Sequence, residues 1–514
     1  MDFDIVCKTL TSPAAVAGSI CLAAAIYLYV FPRKQTLKFP VVLVEDGGMD
    51  SRAAVEYGYS EVDTHLQSFV LTANCLHWRQ HPDQPFVLQS KTRTLVLLPP
   101  KYFDEIRSIP ESKWSGRLSA RNLFQSRYTR IGDNSPQVVH TVKTDLTRHI
   151  GKTLDALQDE MAFAAEQAIG ACEDWTPVVP YPALLRVVSL ISGRVLVGLP
   201  FSRTEQWIQL SINFTMLCFG AAQKYATYSS WLRPFIVPFL DVTGNIHRQR
   251  KAATALLAPV ITEYKNSVES DGEPTNMIQW ALASANDDSM TAEEQADIQL
   301  TLSMAAIHTT STTVVLYCLY DLCAHPEYIE PLREEIKTVL AETDGRLVKR
   351  NMAKLRKLDS FIKESQRLSP PGLVAMQRIV VSDITLSDGS LLPRGTAVGV
   401  PNWGVTRDDR LWTNPETFDG FRFARLRDEA GAEHRHQFAT AGPDSLSFGY
   451  GPQACPGRFF ASNEIKVLLA HLLLNYDFRM EGNRPQNIIH ELTVMPNRGV
   501  NVLFKKRARD TRNG

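Results

Sequence analysis

No sign of charge dominates this sequence: Lys and Arg together number 55, Asp and Glu number 55, and the formal net charge is zero. Proteins that hold nucleic acid carry a basic surplus to neutralise phosphates, so no nucleic-acid partner is expected. Paired cysteines are missing too. The eight cysteines, at positions 7, 21, 75, 172, 218, 318, 323 and 455, include no Cys-x-x-Cys pair. That argues against a disulfide scaffold or a zinc site and fits a reducing compartment. Internal repeats and low-complexity tracts are also absent. The 514 residues are long for one domain, and they can bury a large core.

Long apolar runs are scarce, and the notable one lies at the N-terminus. No residue from Thr9 to Pro32 is charged, and Ala14 to Phe31 is almost wholly apolar. A helix needs about 20 such residues to cross a bilayer core, so the run is just long enough. Asp2, Asp4 and Lys8 precede it, whereas Arg33, Lys34 and Lys38 follow. The basic flank predicts a single-pass anchor over residues 1–32 with the remainder on the cytoplasmic side. A cleaved signal peptide, with Ala23-Ala24-Ala25 near the cut, is the other reading, and the acidic start counts against it. Residues 33–60 then read as a linker, 61–507 as the catalytic body and 508–514 as a polar tail.

Within that body Pro85–Leu88 and Leu95–Leu98 read as early strands, and about 137–345 is mostly helical in pattern, punctuated by Pro177–Pro180 and Gly272–Pro274. Ile379–Val381, Ile384–Leu386, an Asp388-Gly389 turn and Ala397–Val400 read as a small sheet. The expected fold class is mainly α with a small β subdomain.

One cysteine has surroundings that ask for explanation. Phe448-Gly449-Tyr450-Gly451-Pro452-Gln453-Ala454-Cys455-Pro456-Gly457 is a glycine-rich loop leading into a helical pattern from Arg458 to Leu474. A sulfur there sits near the positive end of a helix, which lowers a thiol's pKa. Gly451 and Gly457 carry no Cβ and let the backbone approach a flat group, while Phe448 supplies an apolar face. Such a loop suits a cysteine held as an anionic axial ligand to haem iron. A small buried cysteine in a turn is the bland alternative.

The loop resembles the signature of the cytochrome P450 family, Phe-x-x-Gly-x-x-x-Cys-x-Gly, and three further segments fall in the family's order. Glu364 and Arg367 match its Glu-x-x-Arg helix, stopped here by Pro370-Pro371, and Arg422 in Pro415–Phe423 matches the third partner. The resemblance implies a P450 fold with these three residues in a buried network that positions the Cys455 loop. It implies haem b with Cys455 as the iron ligand. Electrons would come from NADPH through an NADPH–cytochrome P450 reductase, with cytochrome b5 as a second donor, at the endoplasmic reticulum membrane.

Thr291 and Glu294 form a capping-box pattern before a long helical run into Ala305-Ala306-Ile307-His308-Thr309-Thr310. By the resemblance Ala305 and Ala306 are the small residues above the iron and Thr309 the hydroxyl that organises proton delivery. His308 stands where the family usually has a carboxylic acid. It titrates near neutrality and could relay protons, or it could be a satisfied polar residue on the helix flank. The Ala305–Ser311 wording is similar to fungal ent-kaurene oxidases and to indole-diterpene or prenylated-indole oxidases. Gln453 occupies a position that often carries Arg or His, and the family's Trp-x-x-x-Arg helix is not recognisable. Arg378 is therefore the expected propionate partner, with His140 and Lys143 as weaker candidates.

The resemblance also implies an apolar pocket lined by Met304, Ala305, Leu373, Val374, Ala375 and Met495, hence a hydrophobic substrate. The expected activity is insertion of one oxygen atom from O2 into a polycyclic terpenoid, meroterpenoid or prenylated indole. Desaturation, ring coupling or rearrangement on the same fold is the alternative, and a non-catalytic haem sensor or carrier is a third reading.

Overall fold

A computed structural model of the chain describes residues 39–43, 52, 84–89, 93–132, 136–267, 274–284 and 290–508. The expected anchor over 1–32 and the tail from 509 lie outside the described residues. Among those residues one helix, Ala292–Ala324, is long and apolar enough to cross a membrane, but 67% of its most apolar window is buried inside the protein. It is a core helix.

A six-stranded sheet has the order β1-β2-β3-β9-β6-β4. Its strands are β1 (Val41–Leu43), β2 (Phe86–Gln89), β3 (Thr94–Leu97), β4 (Trp114–Ser115), β6 (Ala375–Val380) and β9 (Ala397–Val400). The segment 33–60, expected to be linker, thus contributes an edge strand, as its Val-Val-Leu run allows. Thr176–Val178 (β5) pairs with Val502–Lys506 (β13) instead of merely interrupting helices. Ile384–Thr385 (β7) and Leu391–Leu392 (β8) close a hairpin around Gly389. Tyr476–Arg479 (β10) joins β13, while Ile488–His490 (β11) and Thr493–Met495 (β12) form a separate hairpin.

Helices build the rest. Short α1 (Phe103–Arg107) flanks the sheet. Then come α2 (Ile150–Ala168), α3 (Pro180–Leu196), α4 (Glu205–Ala226) and α5 (Asp241–Ser267). The long core helix follows as α6 (Ala292–Met304), a π-helical turn over Ala305–Ser311, and α7 (Thr312–Ala324). Its start is fixed by the capping box: Glu294 N donates to Thr291 Oγ1 at 3.2 Å, and Thr291 N donates to Glu294 Oε2 at 2.9 Å. Further along come α8 (Arg356–Leu368) and α9 (Arg458–Asn475), with other helices such as Gly116–Phe124 and Ile329–Ala341 between the elements named. Leu316, Leu319, Ile336, Leu358, Phe361, Leu468 and Leu469 are fully buried in one helical core.

Helix α8 is unusual in burying charge on more than one face. Glu364 and Arg367 occupy one, and Asp359 and Lys363 another, all four buried. Lys466 of α9 lies 2.5 Å from Asp359 Oδ1, Arg427 lies 3.6 Å from Asp359 Oδ2, and Phe438 N donates to that oxygen at 2.8 Å. Lys363 Nζ donates to the Gln437 carbonyl at 3.1 Å. Burial pushes the Lys363 ammonium down to about 8, only partly opposed by Asp444 and Asp359. Phe438 in turn packs edge-on against Phe448, with ring centroids 5.3 Å apart. The cluster therefore fastens the chain behind the cysteine loop to α8 and α9.

Asp359 is the carboxylate in contact with Lys466 and Arg427, and removing one partner of a buried ion pair typically costs about 3–5 kcal/mol. Asp359→Ala is expected to lower the denaturant midpoint accordingly, and Asp359→Asn, which still offers Phe438 N an acceptor, to lower it less. Equal midpoints for wild type and Asp359→Ala would show that the cluster adds nothing to stability.

Candidate active site

The cysteine loop is held from three sides. Cys455 N donates to the Phe448 carbonyl at 2.8 Å and Ala454 N to the Gly451 carbonyl at 3.1 Å, folding the loop back on itself. Tyr450 Oη donates to Asp104 of α1 at 3.1 Å, and the Arg107 guanidinium lies 5.0 Å from the Tyr450 ring centre. Gly451 has φ of +81°, and a Cβ there would meet Arg107 Cβ at 3.0 Å. Packing against α1, rather than room for a cofactor, thus demands that glycine. At Gly457 a Cβ would meet nothing within 4 Å, so the space there is available to another group. Helix α9 begins at Arg458, directly after the loop.

Proximity to that helix was expected to depress the Cys455 thiol, but burial wins. The thiol is pushed up by desolvation, against the N–H groups of Gly457 and Arg458 and the Arg458 charge, which pull it down. The loop does not stabilise a bare thiolate. It does present a half-buried, unpaired sulfur beside donors, and a metal cation deprotonates a coordinating thiol outright. Among the described residues no group of three or more His, Cys, Asp or Glu could hold a metal.

Behind the loop, Glu364 is fully buried, and Arg367 and Arg422 are 4% and 8% exposed. Arg367 grips the carboxylate with Nε and Nη2, both at 2.8 Å. Arg422 Nε reaches its two oxygens at 3.1 and 3.2 Å. The remaining donors go to backbone carbonyls: Arg367 Nη1 to Thr406 and Pro415, and Arg422 Nη1 and Nη2 to Thr413 and Thr417. The arginines therefore tie α8 to the loop around residues 413–419.

Across the core, Ala305 and Thr309 are exposed in the middle of a mostly buried helix, one turn apart on a shared face. Thr309 Oγ1 donates to the Ala305 carbonyl, an acceptor in the π-helical turn. Ile307 is buried. His308 points elsewhere: its Nε2 lies 3.2 Å from the Ile212 carbonyl of α4. Burial first, then the positive charge of Arg498, push its imidazole down to about 4, against the contrary effect of the Ile212 carbonyl. Helix α9, which follows Cys455, packs directly against the π-helical turn that carries Thr309.

Does this neighbourhood suit a flat, anionic cofactor? Arg378 gives the best evidence. Its Nη1 donates to the Gln377 carbonyl at 2.8 Å, while its buried Nε has no hydrogen-bond partner among the described residues. Burial lowers its pKa, and Glu111 supplies only a through-space attraction against that. A β-bulge between Ala375 and Arg378, where Met376 has φ of +50°, sets the direction of this side chain. The buried Oε1 of Gln453 also lacks a partner among the described residues, but it is an acceptor, and the amide must turn its Nε2 outward to donate to a propionate. An unsatisfied buried guanidinium is costly unless an anion completes it, so the donor set fits a haem propionate. His140 and Lys143 are exposed.

The expected pocket lining divides. Ala305 is exposed and Ala375 and Met495 are half-buried, but Leu373, Val374 and Met304 are buried in cores. Leu373 is 0% exposed, packs with Phe86, Leu97, Trp403 and Leu492, and its N–H donates to the Leu492 carbonyl at 2.9 Å. It offers no wall to a ligand. Sequence reasoning also missed Asp359, Lys363, Arg427 and Lys466, whose charges look solvated until α8 is seen buried on several faces. It missed Gly116, where a Cβ would lie 3.0 Å from the Arg378 guanidinium. Tyr450 stood inside the motif and was a signal that went unused.

Known proteins give the same picture. The family model described as Cytochrome P450 matches residues 142–504. The cytochrome P450 monooxygenase ascG of Acremonium egyptiacum is 38% identical over 469 residues, spanning 84% of this chain and 88% of its own. The cytochrome P450 monooxygenase BOA4 of Botryotinia fuckeliana is 36% identical over 504 residues, 97% of each chain. A solved structure, retinoic acid-bound cyanobacterial CYP120A1, superposes with a TM-score of 0.62 at 18% identity, over 82% of this chain and 92% of that one. With the cysteine loop, the buried Glu364 network and the Thr309 helix arranged in this way, the chain belongs to the cytochrome P450 family and is a haem-dependent monooxygenase.

Proposed function

We propose that this monooxygenase oxidises a hydrophobic polycyclic substrate of terpenoid, meroterpenoid or prenylated-indole type in secondary-metabolite biosynthesis. The observation that carries the proposal is the exposed pair Ala305 and Thr309, a small apolar residue and a hydroxyl one turn apart on the mostly buried core helix. The Ala305–Ser311 wording supports the substrate class through its similarity to fungal oxidases of such compounds. Residues 1–32 anchor the protein in the endoplasmic reticulum membrane with the catalytic body in the cytoplasm. Support comes from the uncharged run and its basic flank. Electrons arrive from NADPH–cytochrome P450 reductase, with cytochrome b5 as a second donor.

Haem bound through Cys455 supplies O2 activation and oxidation of an unactivated C–H bond. The chain positions the reacting groups. Arg378 and Gln453 hold the propionate edge, and Phe448 and Gly457 shape the space beside the sulfur. Glu364, Arg367 and Arg422 take no part in chemistry; they fix the chain that seats the loop. With its own proton committed to the Ala305 carbonyl, Thr309 Oγ1 offers lone pairs to a proton donor on the open face. Ala375 and Met495 exclude water on the substrate side.

Incubating the full-length protein with reductase, NADPH and a panel of polycyclic terpenoids and prenylated indoles should give an oxygenated product and matching NADPH consumption. Turnover of polar or small substrates alone would sink the proposed class. Cys455→Ala should lose the red-shifted Soret band of the reduced carbon monoxide complex, whereas Cys172→Ala and Cys318→Ala should keep it. Persistence of that band in Cys455→Ala would remove Cys455 as the ligand. Thr309→Ala should bind haem and substrate normally but divert electrons to hydrogen peroxide. Positioned acid–base groups contribute about 10²–10⁴-fold, so product per NADPH should fall steeply; full coupling in this variant would mean protons take another route.

A further inference from the structure

His308 stands where the family carries an acid, and its surroundings assign it a different task. Both ends of the residue are engaged. Its main-chain carbonyl accepts from Thr313 Oγ1 at 2.9 Å, and its Nε2 meets the Ile212 carbonyl of α4 at 3.2 Å. A carbonyl oxygen only accepts, so Nε2 carries the hydrogen and the neutral ring keeps its lone pair on Nδ1. The Nε2 proton points into α4 and away from the face opened by Ala305 and Thr309. Among the described residues, the formal charge that acts on the ring is that of Arg498, after β12, and it opposes an imidazolium as burial does.

We propose that His308 is a positioning residue, a neutral strut donating from Nε2 to the Ile212 carbonyl, that sets the distance between α4 and the Thr309 turn and does not relay protons. The geometry accounts for the missing acid. A carboxylate at this position would face the Ile212 carbonyl acceptor to acceptor, whereas an imidazole supplies the donor that the carbonyl takes. A relay would require the ring to accept a proton on Nδ1 and give up the one that holds α4, so each transfer would release the helix. Helix α4 also packs on α3, α5 and α6, and the strut adds the link that reaches the oxygen site directly. The inference rests on the monooxygenase reading only in its coupling arm.

The test combines amide hydrogen exchange of the haem-loaded, full-length protein with pH profiles of product formed per NADPH. Exchange within Glu205–Ala226 is expected to rise about tenfold in His308→Ala and to return near wild type in His308→Gln, whose amide restores the donor. His308→Asp should exchange like His308→Ala. The wild-type coupling profile should be flat between about pH 5.5 and 8, and His308→Gln should keep that flat shape. Should a variant fail to load haem, the wild-type imidazole decides by nitrogen NMR of the reduced carbon monoxide complex. It should stay neutral, with the hydrogen on Nε2, down to about pH 5.5. Titration of that ring or of coupling near about pH 6.5, or unchanged exchange of α4 in His308→Ala, would overturn the proposal. Failure to find a polycyclic substrate would leave the exchange and NMR arms intact.

Discussion

A single carboxylate, that of Glu364, sits fully buried among protein atoms, and much of the site's geometry follows from how it is neutralised. A lone ion in such a place is prohibitive. Two arginines resolve the problem and create a new one, since their remaining donors also need acceptors. Those acceptors are backbone carbonyls at Thr406, Thr413, Pro415 and Thr417. Satisfying one charge thus dictates the path of a segment with little regular structure of its own. The arrangement works as a template for irregular chain more than as a source of stability, because buried ion pairs seldom exceed their desolvation cost. Asp359, one turn earlier on α8, orders the chain around Phe438 in the same manner.

At the cysteine, competing effects act on the thiol. The helix start and Arg458 favour a thiolate, yet desolvation outweighs them. Arg378 shows the converse imbalance, a buried cation short of an anion. Each is unfavourable alone, and a bound haem would answer both if Cys455 held its iron and Arg378 met a propionate. Cofactor binding and completion of the fold are therefore one energetic event.

The local signals that were legible in the sequence were those governed by short-range rules. The Thr291–Glu294 cap, the Asp388-Gly389 hairpin and the Ala397–Val400 strand needed only neighbouring residues. Glu364, Arg367 and Cys455 were legible because their spacing is a family pattern. What escaped was set by distant packing. Thr176–Val178 becomes a strand because β13 offers it an edge, and Val41–Leu43 because β2 does. Leu373 and Ala305 are both apolar, and only the tertiary arrangement decides which one meets a ligand. For His308, sequence reasoning left relay and flank open; the Ile212 carbonyl that faces it belongs to a helix 96 positions earlier.

The fastening of Tyr450 to Asp104 joins residues 346 apart in the chain, and that separation has a bearing on how the protein is made. Closing so large a loop carries an entropic cost that must be met before the contact contributes anything, and contacts of this range slow folding. On the ribosome α1 emerges early and must wait for nearly the whole chain before its partner appears. Cys455 belongs to that late partner. The cysteine loop can therefore settle against α1 only late in synthesis, and until then the apolar surface of α1 stays exposed.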